Sequence, residues 1–145
     1  MVIEDFVGRE LVSPWLEISQ ERIDEFARAT DDPQWIHTDP ERAAAGPFGT
    51  TIAHGFLTLS LVVPLFDQAL PAVEGYGMTL NYGLNRVRFT SPVPVGARIR
   101  GNFRIEDVAD VASGKQACVS VTIELEGQEK PACVAEALFR FLAPA

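Results

Sequence analysis

Asp32 and His37 are the residues of this chain best suited to chemistry, a carboxylate and an imidazole five positions apart in Ala29-Thr30-Asp31-Asp32-Pro33-Gln34-Trp35-Ile36-His37-Thr38-Asp39-Pro40. Together they form a minimal acid-base pair, able to grip a water molecule and move its proton. Pro33 biases the segment away from helix, so the expectation is a loop that aims both side chains into one cavity. Singly, neither says much. An Asp before Pro is commonly a turn residue, and a lone His commonly a hydrogen-bonded structural one. His54 is the only other histidine. With no Cys or further His to complete a ligand set around Asp32, His37 and His54, no metal is expected there.

A chain of 145 residues must position that pair, which is enough for one ordinary domain over 1–145. No repeat, low-complexity tract or linker divides it. Pro14 to Ile18 reads as a short strand. Ser19 is a candidate N-cap for a helix with Ile23, Phe26 and Ala27 at helical spacing, ending before Pro33. Asp39-Pro40 is a second start signal, and Gly46 closes that short Ala-rich helix ahead of an irregular loop, Pro47-Phe48-Gly49-Thr50. The most apolar stretch follows, from about Ile52 to Leu70, and a helix apolar nearly all round should be buried, with Pro64 as its kink or weak point. After Gly77 the period changes to two, giving strands near 78–90, 97–107, 115–126 and 132–142 joined by short turns. Such strands pair antiparallel, and the sheet needs an apolar cover that only the 52–70 helix supplies. The expected class is α+β: a long antiparallel sheet curled around one buried helix, the hot dog arrangement.

Composition narrows the function. A net charge of −8 argues against a nucleic-acid partner, and no run approaches the ~18 apolar residues of a membrane span. The start, Met1-Val2-Ile3-Glu4-Asp5-Phe6, lacks the basic and apolar regions of a signal peptide, so a cytoplasmic location is the default expectation. Cys118 and Cys133 sit in apolar alternating runs and read as small buried side chains. The charge is unevenly spread. No acidic residue occurs between Glu74 and Glu106, while Arg86, Arg88, Arg98, Arg100 and Arg104 fall there. Period-two spacing puts Arg86 with Arg88, and Arg98 with Arg100, on one strand face. This is either a solvated sheet face that protects an edge or a dock for an anionic ligand, since the arginine fork suits phosphate oxygens.

The Asp-x-x-x-x-His pair, the Thr38-Asp39-Pro40 helix start and the run His54-Gly55-Phe56-Leu57-Thr58-Leu59-Ser60 together resemble the maoC-like dehydratases, the (R)-specific enoyl-CoA hydratases also called hydratase 2. The likeness is closest to the branch that includes nodulation protein N-like proteins. It extends to Asn81-Tyr82-Gly83-Leu84-Asn85-Arg86-Val87-Arg88-Phe89 and Lys130-Pro131-Ala132-Cys133-Val134-Ala135-Glu136. What the resemblance implies is the hot dog fold, association of two such domains as a homodimer, and syn hydration of a trans-2-enoyl-CoA to the (R)-3-hydroxyacyl product, without a metal or redox cofactor. The family pattern around the pair is commonly Gly-Asp-x-Asn-Pro-aliphatic-His, and Asp31, Gln34 and Trp35 stand where Gly, Asn and Pro are expected. Asp31 thus raises the question of which aspartate acts. Spacing to His37 selects Asp32.

Hydration makes definite demands. Water is a poor nucleophile, so carboxylate and imidazole must hold it together and remove a proton as it attacks C3. Negative charge then flows to the thioester oxygen, which needs donors already in place. The Gly55 N–H, at the start of the buried helix, suits that role. Ser60 resembles the family serine that supports the catalytic His or water, although a hydroxyl satisfied by a backbone carbonyl inside a helix reads equally well. Asn85, Arg86 and Arg88 lie on the strand that resembles the family's substrate side, where the arginines would meet the coenzyme A phosphates. A thioesterase or an acyl-carrier-protein dehydratase would use the same fold and thioester. A non-catalytic acyl-CoA-binding module would need the arginines but not the Asp32/His37 pair.

Overall fold

The computed structural model describes residues 1–145. A 3-10 turn (Ile3–Phe6) and two short strands, β1 (Glu10–Val12) and β2 (Leu16–Glu17), precede the first helix. Only β2 falls inside the strand expected at Pro14 to Ile18; three residues carry too little period for β1 to be read. Helix α1 (Gln20–Thr30) begins where the Ser19 hydroxyl accepts from the Arg22 N–H at 3.2 Å. It ends at Asp31, whose φ of 57° is left-handed, a conformation that Asp tolerates better than most residues other than Gly. Asp31 stands where the family pattern carries Gly, and the backbone explains the preference for a residue at home in this turn.

The segment after Pro33 differs from the expected open loop, because Trp35–Thr38 form a helical turn, α2. Proline restricts the residue before it, Asp32, and not those that follow. Helix α3 (Pro40–Ala44) starts on its expected cap, with the Asp39 carboxylate accepting from the Arg42 N–H at 3.1 Å.

The central helix is shorter than 52–70 and comes in two pieces, α4 (Gly55–Ser60) and α5 (Val62–Ala69). Residues 52–54 are extended because they are engaged sideways: Ile52 bridges Pro94, and the Ala53 N–H donates to the Val93 carbonyl at 2.8 Å. The interruption falls at Leu61, one turn before Pro64. A proline has no N–H for the carbonyl four residues back and its ring crowds that carbonyl, here the one of Ser60. Leu57, Leu61, Val62, Leu65 and Phe66 are buried, while Phe56, Ser60 and Asp67 are exposed. The helix is therefore covered along one face only, against the expectation of burial all round.

Four long strands follow at the expected places, β3 (Met78–Phe89), β4 (Arg98–Val111), β5 (Gly114–Leu125) and β6 (Cys133–Leu142). They build one antiparallel sheet in the order β1-β4-β5-β6-β3, with β2 paired to the other end of β4. Alternate residues of β4, β5 and β6 point inward onto α4 and α5. Phe66 sits at the middle, stacked on Phe139 at 5.0 Å and edge-on to Phe103 at 5.2 Å. Gly101 makes room for this arrangement, since a Cβ there would come 2.2 Å from the Phe103 ring. A sheet wrapped around a helix in this way is the hot dog fold. No helix is long and apolar enough to cross a membrane.

Candidate active site

His37 is 7% exposed and held from three directions. Its Nδ1 lies 2.7 Å from the Ile52 carbonyl. A carbonyl only accepts, so Nδ1 carries the hydrogen and Nε2 is left as the free acceptor. The Ile52 N–H returns a bond to the Ile36 carbonyl at 3.0 Å, which ties α2 to the extended segment before α4. The Gln20 amide donates to the His37 carbonyl at 2.8 Å, and the buried Thr51 hydroxyl donates to the Gln20 side-chain oxygen at 2.5 Å. Burial pushes the His37 imidazole below the ordinary histidine value of 6.5; the bond to Ile52 opposes the shift, nearby His54 adds to it, and Asp32 opposes it. Gln20 and Thr51 carry no signal in the sequence, because nothing local links residues that lie far apart in the chain.

Asp32 follows the left-handed turn at Asp31, with its N–H bonded to the Ala27 carbonyl at 3.0 Å. Its carboxylate is exposed, 3.9 Å from Nε2 of His54. One donor atom from each of Asp32, His37 and His54 lies within 4.8 Å of the other two. These three residues are the ones that could face a cation. Yet the imidazoles of His37 and His54 are stacked, 3.8 Å between centroids and 24° between planes. A metal sits in the plane of each ring that binds it, at ~2.0–2.1 Å from nitrogen. Two rings lying face to face do not offer lone pairs to a common point, so the arrangement fits acid-base work better than metal binding.

His37 also lines a cavity of about 310 Å³ with Gly55, Thr58, Phe48, Phe89 and Val93 among its walls. Gly55 is the first residue of α4. His54 gives no side-chain cap, and the Gly55 and Phe56 N–H groups have no backbone acceptor. A Cβ on Gly55 would come 2.9 Å from the Phe89 ring, so glycine lets that ring close over the helix start. His37 and Gly55, with its unpaired N–H, thus border one mostly apolar cavity, whose lining does not include Asp32, against the expectation that both side chains of the pair enter it.

The other expected residues lie elsewhere. Ser60 donates to the Leu57 carbonyl at 2.8 Å and lines a separate apolar cavity of about 340 Å³ with Leu59, Val63, Tyr82, Leu84 and Phe139. Within one chain it is not brought beside His37. Asn85 donates to Glu136 across the β3–β6 pair at 2.5 Å, and that bond is the first cause holding the Glu136 carboxyl below its usual range. The arginine stripe divides. Arg98 pairs with Glu126 at 2.9 Å, and Arg100 pairs with Glu124 beneath Trp15, so both are neutralised by neighbours. Arg86 and Arg88 are exposed on β3 and belong to no ion pair; Arg88 donates to the Val87 carbonyl at 2.7 Å. Asp31 lines a separate open groove with Asp24, Arg28 and Thr38.

Fold and site together define a hot dog protein with an acid-base constellation beside an apolar cavity. The model of the MaoC like domain family matches residues 3–128, and the chain belongs to that family. It is 55% identical over 132 residues to the 3-hydroxyacyl-thioester dehydratase Z of Mycobacterium tuberculosis, covering 90% of this chain and 87% of that one. Nodulation protein N of Rhizobium leguminosarum bv. viciae is 48% identical over 132 residues, with 89% and 82% covered. Among solved structures, an (R)-hydratase from A. caviae involved in PHA biosynthesis superposes with a TM-score of 0.77 at 25% identity, covering 93% of this chain and 96% of that one.

Proposed function

We propose that this chain is an (R)-specific enoyl-CoA hydratase, a hydro-lyase that adds water to a trans-2-enoyl-CoA to give the (R)-3-hydroxyacyl-CoA and also runs the reverse dehydration. The observation that carries the reading is the setting of His37. Its Nδ1 is committed to Ile52, its Nε2 is free, Asp32 lies close by, and the Gly55 N–H opens onto the same cavity. In this reading Asp32 and His37 hold one water. Its oxygen bonds to C3 while one of its protons passes to the pair, and the C2=C3 electrons move towards the thioester. The Gly55 N–H donates to the oxygen on which that charge gathers. The enolate then takes a proton at C2 from the pair, which returns the site to its starting state. Burial that lowers the proton affinity of His37 keeps the imidazole available as a base at neutral pH.

The same reading gives Arg86 and Arg88 the coenzyme A phosphates, because both are exposed on β3 and in no ion pair, whereas Arg98 and Arg100 are paired and Arg104, also in no ion pair, is bonded to the Gly8 carbonyl. It also makes the working unit a homodimer. β3 ends the sheet, and its Met78, Leu80, Tyr82, Leu84 and Phe89 are all exposed, an edge that pairing with a second copy would cover.

The test is an assay on a trans-2-enoyl-CoA that follows loss of the conjugated double bond and, separately, release of free thiol. Loss of the double bond without thiol supports the hydratase, thiol release would make it a thioesterase, and neither would leave an acyl-CoA-binding module. Asp32→Asn and His37→Ala should each remove ~10²–10⁴-fold of turnover while the protein stays folded. The double variant should be little worse than either single one if the pair acts as a unit. An active Asp32→Asn beside a dead Asp31→Asn would move the role to Asp31.

A further inference from the structure

His54 touches both members of the proposed acid-base pair and directly precedes Gly55, yet the proposed reaction makes no use of its side chain. The ring is 3% exposed. Its Nε2 is 2.9 Å from the Asp32 carbonyl, which only accepts, so Nε2 carries a hydrogen and donates it. One face of the ring lies on His37 with 3.8 Å between centroids, and Phe26 leans against it at 4.9 Å and 56°. His54 is also the residue before Gly55, and its carbonyl accepts from Leu57 and Thr58 at 3.0 and 3.2 Å, the bonds that begin α4.

One atom of this ring counts against a merely structural role. Nδ1 of His54 is buried with no hydrogen-bond partner. An unpaired buried polar atom costs stability, so packing alone does not account for an imidazole at this position. Departures of this kind from local good order gather at functional sites.

We infer that His54 is a positioning residue: its Nε2–H bond to the Asp32 carbonyl sets where the Asp32 carboxylate stands, beside the His37 ring on which it is stacked. One side chain thus fixes the spacing of the acid-base pair and joins it to the helix start that presents the Gly55 N–H. The inference rests on Asp32 and His37 being the acting pair. The groups facing His37 are Asp32 from the segment after α1, His54 from the segment before α4, and the Ile52 carbonyl. Of the two titratable neighbours, His54 lowers and Asp32 raises the proton affinity of His37.

Two replacements separate the two interactions. His54→Phe keeps a ring against His37 and removes the donor to Asp32; His54→Gln keeps a donor and removes the ring face. In His54→Phe, kcat for the enoyl-CoA should fall by about 10²-fold, the effect of misplacing a reacting group by about an ångström. KM should change little, since the hydrogen bond removed acts on the pair and not on the thioester. His54→Gln should recover most of that loss. The chain has only two histidines, so each variant leaves a single imidazole signal in the NMR spectrum, that of His37. In His54→Gln its titration should move to higher pH, because the lowering influence of His54 is gone while Asp32 stays in place. The shift should be smaller in His54→Phe, where Asp32 is displaced as well, and the acid limb of the pH profile should follow. A His54→Phe protein with wild-type kcat and an unmoved His37 titration overturns the inference, as does a folded His54→Gln protein as inactive as His54→Phe. If His54→Phe does not fold, the His54→Gln titration decides alone, and an unshifted His37 signal overturns the proposal. Absence of hydration by the wild type would refute the hydratase reading, whereas the His37 titration would still report on His54.

Discussion

β5 and β3 are both twelve-residue strands in the same sheet, on either side of β6. From Cys118 to Leu125, β5 alternates between buried and half-buried residues, and its Val119, Val121 and Ile123 close onto the central helix. β3 buries nothing: Val87 is half covered and every other residue is exposed. Both sequences are rich enough in apolar residues to bury a face. What differs is the cover. β5 has neighbours on both sides and shares one core cluster with Val62, Leu65 and Phe66 of α5, while β3 is the last strand, is bulged twice against β6, and borders the exposed Phe56 and Ser60 of α4. A side chain is buried by what lies opposite it, and for β3 the chain itself supplies no such cover. β3 also carries Arg86 and Arg88, so in the proposed function the uncovered strand is the one that meets other molecules.

Four experiments press on this contrast. The largest effect is expected on β5, where Ile123→Ala removes a side chain with 0% exposure. It should cost about 2–5 kcal/mol in denaturant unfolding, from the transfer energy of the deleted atoms plus the cavity left behind. The matching truncation Leu84→Ala on β3 should stay within about 0.5 kcal/mol at concentrations where the chain is monomeric. Equal losses at the two sites would mean that β3 is not an open edge. Leu84→Asp should convert a dimer to folded monomers in sedimentation, because a carboxylate cannot be buried unpaired in a joined edge. A wild type that is monomeric and fully active at micromolar concentration would dismiss the dimer instead.

Smaller effects follow at the charged groups. Replacing Arg86 and Arg88 by Gln should raise KM for the CoA thioester by about tenfold for each charge-assisted hydrogen bond removed and leave kcat nearly unchanged. Added salt should weaken the wild type more than the variant. An unaltered KM would return both arginines to the solvated face. The smallest effect concerns His37, whose folded-state proton affinity is depressed by burial. Below the ordinary value of 6.5 the unfolded chain binds the proton first, so the stability contribution present above that pH is lost as pH falls towards the folded value. His37→Gln should flatten that part of the stability curve, and an unchanged slope would show that His37 is not the group responsible.

Much of the architecture is legible in the sequence because its signals act over a turn or less. Ser19 and Asp39-Pro40 start helices by satisfying nearby N–H groups, and both do so where expected. The change to period two after Gly77 locates all four long strands to within a few residues, since alternation is a property of extended backbone. The proximity of Asp32 to His37 is foreshadowed by their spacing, and Asp31 is explained by the left-handed turn that separates α1 from Asp32. The rest depends on distance in the chain. That His37 is steadied by Gln20, seventeen residues away, and Asp32 by His54, twenty-two away, is written in no local pattern. Helix propensity cannot foresee that residues 52–54 turn extended to bond with the 93–95 segment, nor that Ser60 lines a cavity apart from His37. The sequence by itself determined the elements and the candidate acid-base pair, because caps, periodicity and residue spacing are short-range. Only the tertiary structure decided which nitrogen of His37 is free, which arginines are unpaired and which strand is left uncovered, because each of those is settled by a partner that folding brings from far along the chain.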